Sequence, residues 1–185
     1  MDVKLFEEMK AKVIAAGYGD EIKFYEKMKP CADADTFFRE YMWVVLSAGM
    51  KNQIARQIES RIIEALDRGE PVSSAFHHKS KARAIEYVRE LKTELFEVWQ
   101  SFGEHGELAR LRWLKTLPWI GEITCFHLAK NLGLDVGKPD RHLQRIAASY
   151  GDSVCGLCDR LAKQTGLRVA TVDLIIWRAA NLDYI

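Results

Sequence analysis

Asp140 sits between Lys138-Pro139 and Arg141-His142, with Arg145 one helical turn further on. A carboxylate in such company can move a proton or face developing positive charge, while the cations beside it suit phosphate groups. Lys138-Pro139-Asp140 also reads as a helix start, where Asp140 accepts the Leu143 amide as an N-cap, worth about 1 kcal/mol. The two roles are compatible, because a cap fixes the carboxylate and helix-end amides complement its charge. Upstream, Leu117-Pro118 closes one helix, Trp119-Ile120-Gly121 makes a tight turn whose glycine lies nineteen positions before Asp140, and Glu122 opens the next helix. A helix-hairpin-helix of this kind aims backbone N–H groups at a phosphate. A side chain at Gly121 would hold that phosphate away. By itself the turn is equally an ordinary connection with a proline stop. The acidic segment that follows makes the pair suited to gripping nucleic-acid phosphate beside a reactive base.

The elements that must position these residues all read as helices. Phe38, Tyr41, Met42 and Val45 share one helical face, as do Val172, Ile175, Ile176 and Ala179. Ile54, Ile58, Ile62 and Ala65 form a third stripe, ended by Gly69 and Pro71. Ser80 is placed to cap one long helix carrying Ile85, Val88, Leu91, Leu95 and Val98, stopped at Gly103. Gly133 and Gly137 break the chain between the hairpin and Asp140. Strand-like alternation, repeats and long linkers are missing, so the fold class is all-α.

With 185 residues, 48% of them hydrophobic, the chain can bury a core as one domain or two small lobes. The charged start MDVKLFEEMK and the lack of an eighteen-residue apolar run argue against a secretory signal or a membrane span. A net charge of +1 gives no global case for a nucleic-acid partner, so the case is local. Basic residues gather at Lys79, Lys81, Arg83, Arg89 and Lys92, and again at Lys138, Arg141, His142 and Arg145. Either group also fits a solvated helix face. Cys31, Cys125, Cys155 and Cys158 are too scattered for a disulfide framework. Cys155 and Cys158 have metal-ligand spacing without a second pair, so buried thiols are expected and no zinc.

The hairpin segment LPWIGEIT looks like the LPGVGxKT pattern of the HhH-GPD DNA glycosylases, and PDRHLQRI looks like their VDTHIxRV segment. The helix FREYMWVVLSA resembles the one ending in Leu-Ser-Ala before the family's strand-inserting loop, here Met50, Lys51 and Asn52. The sequence HKSKA, which includes Lys81, resembles the family's SKA helix start. The similarity runs over about residues 34–182 and is densest over 117–147. It implies two helical lobes, about 34–110 and about 111–185 joined by the N-terminal helices, with the hairpin at 114–132 in the second lobe and a DNA groove between them. It carries the catalytic carboxylate to Asp140 and DNA contacts to Leu117, Pro118, Ile120, Gly121, Thr124, Met50, Lys51, Asn52 and Lys81. Two departures matter. The lysine that forms a Schiff base in bifunctional members is Ile123 here, and the first hairpin glycine is Trp119, which packs against the fold or stacks on a base or sugar. The cysteines of the iron–sulfur relatives are missing, so neither a cluster nor another metal cofactor is expected.

Within that superfamily, GEITCFHLAKNLGLDVGKPDRHLQRIA is most similar to the phage α-glutamyl/putrescinyl thymine pyrophosphorylases, or amino acid:DNA transferases. That resemblance implies a monomeric cytoplasmic enzyme of a bacterium or phage-infected cell, acting on a flipped modified pyrimidine in double-stranded DNA. An amine or amino-acid co-substrate would displace pyrophosphate from 5-pyrophosphoryloxymethyluracil. Lys138, Arg141, His142 and His127 would hold the phosphates while Asp140 accepts the ammonium proton, although His127 fits a core position equally well. A monofunctional DNA N-glycosylase and a non-catalytic hairpin module are the alternatives.

Overall fold

Two helices rich in apolar residues organise the chain, and each anchors one compact unit. The computed structural model describes residues 1–103 and 106–185, and the regular structure among them is entirely helical. One unit comprises residues 1–30 with 133–185, the other residues 31–132.

In the first unit, α1 (Val3–Val13) ends in a wide turn at Ile14–Tyr18, where Gly17 takes a φ of +96° before α2 (Gly19–Glu26) begins. The chain re-enters this unit at Gly133 and continues through α10 (Arg141–Ser149), α11 (Val154–Thr165) and α12 (Val169–Asn181). Val172, Ile175, Ile176 and Ala179 of α12 are fully buried against Phe6, Met9 and Val13 of α1 and Leu157, Cys158 and Leu161 of α11. Polar ties close the unit. Arg178 makes a two-pronged bond to Glu21 at 2.7 Å for each arm, and Arg168 donates to the carbonyls of Tyr25, Met28 and Gly133. Gly133 has a φ of +92°, and a Cβ there would meet the Lys29 carbonyl oxygen at 2.6 Å. Only glycine lets the returning strand of chain pass so close.

The second unit is built on α3 (Ala34–Ser47), capped by Asp33, whose carboxylate accepts the Thr36 amide at 2.7 Å. Around it pack α4 (Asn52–Asp67), the short α5 (Val72–Ala75), α6 (Lys79–Glu90), α7 (Lys92–Ser101), α8 (Glu107–Leu114) and α9 (Thr124–Asn131). Phe37 of α3 meets Phe96, Trp99 and Trp113 at ring separations of 6.1–6.4 Å. Tyr41, fully buried, donates to the Pro118 carbonyl at 2.7 Å. This bond pins the hairpin to α3, which is why the hairpin groups with residues 31–132. The hairpin lies with the helices before it in the unit of residues 31–132, whereas the sequence reading divided the chain near residue 111.

Local expectations changed in two further places. The long helix after residue 79 is two helices, α6 and α7, joined at Leu91, and its N-cap is His78 rather than Ser80. The ring Nδ1 of His78 accepts the Lys81 amide, so the cap comes two residues earlier than a serine-based reading allows. The second hairpin helix opens at Thr124 and not at Glu122. Ile54, assigned to an apolar stripe, is 46% exposed, and Ala55 takes the buried place instead.

Glu40 on α3 accepts a 2.8 Å bond from the Asn131 side chain. Burial pushes its carboxyl above the usual range; the Asn131 bond and Arg56 oppose this, and Glu59 adds to it. A raised folded-state pKa means that stability is lost as pH rises through the window above the ordinary glutamate value. Glu40→Gln, which keeps a hydrogen-bonding head, is expected to raise the melting temperature relative to wild type at pH 7–8. The advantage should vanish at pH 4 and below. Paired thermal melts across this range check it, and a pH-independent difference would contradict the assignment.

Candidate active site and nucleic-acid interface

The geometry around Asp140 is set by backbone amides on one side and a buried carboxyl on the other. Asp140 adopts an extended conformation as the N-cap of α10, and its Oδ1 accepts the His142 amide at 2.9 Å and the Leu143 amide at 3.1 Å. Its side chain is 14% exposed. The cap leaves Oδ2 for other chemistry, with the Lys138 ammonium 4.0 Å away. Just before it, the Lys138 amide donates to Oδ1 of Asp173 at 2.9 Å, and the Asp140 amide donates to the Lys138 carbonyl at 2.8 Å. Asp173 lies on α12 and is 2% exposed. A carboxyl group buried in so apolar a helix is costly unless bonded. Here it fixes the turn that delivers Asp140. Arg141 and Arg145 are exposed, His142 is half-buried, and the Arg141 Nε approaches the His142 Nε2 at 3.3 Å.

The hairpin departs from a simple phosphate cradle. Leu117 and Ile120, expected at the DNA contact, are 5% exposed and belong to the core, so only their backbone can meet a ligand. The resemblance implied contact there, but the turn needs apolar anchors to stay closed. Pro118 is half-buried and spends its carbonyl on Tyr41. Trp119 takes a φ of +64° and is 45% exposed. A non-glycine residue in the left-handed region costs about 1–2 kcal/mol. Gly121, by contrast, has an ordinary φ, and a Cβ there would meet nothing within 4 Å. No protein atom demands a glycine at 121. Its amide donates to the Thr124 Oγ1 at 2.7 Å. Glu122, also at the turn, is held by Lys115 at 3.0 Å.

Lys81, expected to meet DNA, is 5% exposed and donates to the Ala48 carbonyl at 2.8 Å, so its ammonium serves the interior of the unit. Met50 is half-buried, while Lys51 and Asn52 are exposed at the start of α4. Ile123 is 37% exposed, and His127, one turn along α9, is half-buried. The hairpin and Asp140 belong to different units. Cys155 is exposed, against the buried thiol expected there, and Cys158 is buried beside Gly137. Among the described residues no group of three or more His, Cys, Asp or Glu side chains could hold a metal ion, and no helix is long and apolar enough to cross a membrane.

No family model and no curated protein sequence matches the chain. Its structure is similar to that of the Methanocaldococcus jannaschii 8-oxoguanine glycosylase/lyase, solved in complex with a 15mer DNA containing 8-oxoguanine. The likeness has a TM-score of 0.66 at 20% identity and covers 95% of this chain and 94% of that one. The chain has a glycosylase-like fold. That agrees with the all-α helical architecture expected from the sequence.

Asp173 is the residue that sequence reasoning passed over. The signal was present, since it is the one acid within the stripe from Val172 to Ala179. Removing its acceptor with Asp173→Ala is expected to cost about 1–3 kcal/mol of stability, because the Lys138 amide loses its partner. Asp173→Asn keeps an oxygen acceptor and should cost less. Denaturant melts of both variants check the order, and equal losses would show that the Lys138 bond contributes nothing.

Proposed function

We propose that the protein is a DNA-acting enzyme, a monofunctional N-glycosylase that hydrolyses the bond between a modified base and its sugar. The observation that carries this reading is the Asp140 carboxylate, with one oxygen committed to two helix amides and the other left toward Lys138. The glycosylase-like fold supports it. In the proposed reaction the base is extruded from the duplex, since its glycosidic bond is inaccessible within the stack. Oδ2 faces the positive charge that grows on the sugar as the C1′–N bond breaks, and the electron pair leaves with the base. Water adds to C1′ and passes a proton to the carboxylate, the departing base takes a proton from solvent, and the carboxylate then returns its proton to solvent. Ile123 offers no amine, so the sugar is not captured as a Schiff base.

A second reading, transfer of an amine or amino acid to 5-pyrophosphoryloxymethyluracil, rests on the cations beside Asp140. Lys138 lies 4.0 Å from the carboxylate and Arg141 and His142 follow it. These groups suit a departing pyrophosphate better than they suit attack at a sugar carbon. In that reaction the amine nitrogen bonds to the 5-methylene carbon, the carbon–oxygen bond to pyrophosphate breaks, and Asp140 takes the ammonium proton. Under both readings the partner is double-stranded DNA, with no resident metal cofactor.

The two readings separate by product. Duplexes carrying 8-oxoguanine, 5-modified uracils or 5-pyrophosphoryloxymethyluracil are incubated with and without amino acids and polyamines, and the products are weighed. Glycosylase action yields free base and alkali-labile abasic sites, and borohydride traps no protein–DNA adduct. A heavier nucleoside with released pyrophosphate, and no free base, would move the assignment to the transferase. Asp140→Asn is expected to lower turnover by about a hundredfold or more. DNA affinity should stay within a few-fold, because asparagine caps a helix about as well as aspartate. Turnover near wild type would reduce Asp140 to a cap. Binding without turnover on any substrate would leave a hairpin module.

A further inference from the structure

Lys81 is a lysine in an unusual position. It is 5% exposed, and burial lowers its pKa from the ordinary lysine value. Burying an ammonium is costly, and such groups are normally paired with a carboxylate. The partners of this one are a carbonyl and an aromatic face. Nζ donates to the Ala48 oxygen at 2.8 Å and lies 5.3 Å from the centre of the Trp119 ring. Ala48 closes α3, and after it Gly49 takes a φ of +74° and the Met50 amide returns to the Ser47 carbonyl at 3.2 Å. The same ammonium therefore touches the turn that leads to Met50, Lys51 and Asn52 and the strained residue at the tip of the hairpin.

His78 completes the arrangement from the other side of the Lys81 backbone. Its Nδ1 accepts the Lys81 amide at 3.4 Å, its ring meets the Trp119 ring edge-on at 5.4 Å, and Phe76 stacks on it at 6.0 Å. Trp119 is thus held by a cation and an imidazole while 45% of its surface remains exposed. A tryptophan face is the strongest aromatic partner for a cation, and the attraction grows when water is excluded.

We infer that Lys81 is a positioning residue that locks the Ala48–Asn52 turn to the Trp119 hairpin, so that two separate loops present one preset surface to a DNA backbone. The lock itself is a property of the unit formed by residues 31–132, whereas its use on DNA rests on the function proposed above. Pre-setting both loops removes an ordering cost at binding. It explains a left-handed tryptophan at the tip, since a glycine there would relieve the strain and lose the ring. It also explains a buried lysine without a carboxylate, since Lys81 needs an acceptor on one loop and a π-face on the other.

The test has two arms. In hydrogen exchange on the free full-length protein, Lys81→Met is expected to speed exchange about tenfold at both the Gly49–Asn52 and the Trp119–Gly121 amides, as loss of a charged hydrogen bond implies. Trp119→Leu, a change at an exposed position, should speed exchange at Gly49–Asn52, and Lys81→Arg should restore part of the protection. Loosening of one loop without the other, in either variant, overturns the lock. In the DNA arm, Lys81→Met should reduce single-turnover rate by roughly tenfold while the slope of log affinity against log salt stays at the wild-type value, about −3 to −5 for a few phosphate contacts. A slope shallower by about 0.9 would show that Lys81 neutralises a phosphate itself, and the positioning role would fall. If no DNA binds at all, the proposed function fails while the exchange data still decide the lock.

Discussion

The rest of the site depends on how a single turn of backbone, Lys138-Pro139-Asp140, is held. The Lys138 amide is fixed by the buried Asp173 carboxyl, and Asp140 is fixed by the first amides of α10. Between these two anchors the chain has little freedom, because proline at 139 sets its own φ. The result is a carboxylate with one oxygen bonded to two helix amides and the other left toward Lys138. Such preorganisation matters more than the identity of the acid, since a freely rotating carboxylate would spend part of its electrostatic effect on reorganisation. The unit that supplies this rigidity is assembled from both ends of the sequence, with α1 packed on α12.

The proposed DNA surface of the hairpin unit has little net charge to draw on, since the whole chain carries only +1. The acid at its tip, Glu122, is neutralised by Lys115, and Lys81 is withdrawn into the interior. What remains outward is backbone, the open face of Gly121 and the Trp119 ring. Affinity on such a surface comes from shape and a few directed contacts, which limits the counterions released and hence the sensitivity to salt. Strain at Trp119 is maintained because its neighbours over-determine it, with Tyr41 holding Pro118 from below and His78 and Lys81 holding the ring.

Much of this was legible in the sequence. Helical periodicity placed α3 and α12 and their buried faces, because residues at i, i+3, i+4 and i+7 have a single physical meaning in a long apolar stripe. Asp140 as a cap followed from its residue type and the proline before it. What was not legible depended on tertiary partners. Leu117 and Ile120 lie in a turn that also has to be anchored, and Lys81 carries a charge that normally signals exposure. The Leu91 junction between α6 and α7 has no Gly or Pro to announce it. His78 caps a helix with a ring nitrogen, a chemistry that a search for Ser, Thr, Asp or Asn does not find. The Tyr41–Pro118 bond that ties the hairpin to α3 spans 77 residues and likewise leaves no local trace.

The central claim is that Asp140 presents a fixed negative charge to a sugar that becomes positive. The most direct measurement is the affinity of the protein for two duplexes differing at one position, one with a cationic pyrrolidine in place of the target sugar and one with neutral tetrahydrofuran. The expected result is at least about tenfold tighter binding of the cation, a ratio that collapses toward one in Asp140→Asn. This corresponds to a charge–charge interaction of about 1.4 kcal/mol in a partly buried site. Equal affinity for the two duplexes, or a preference untouched by Asp140→Asn, would contradict it.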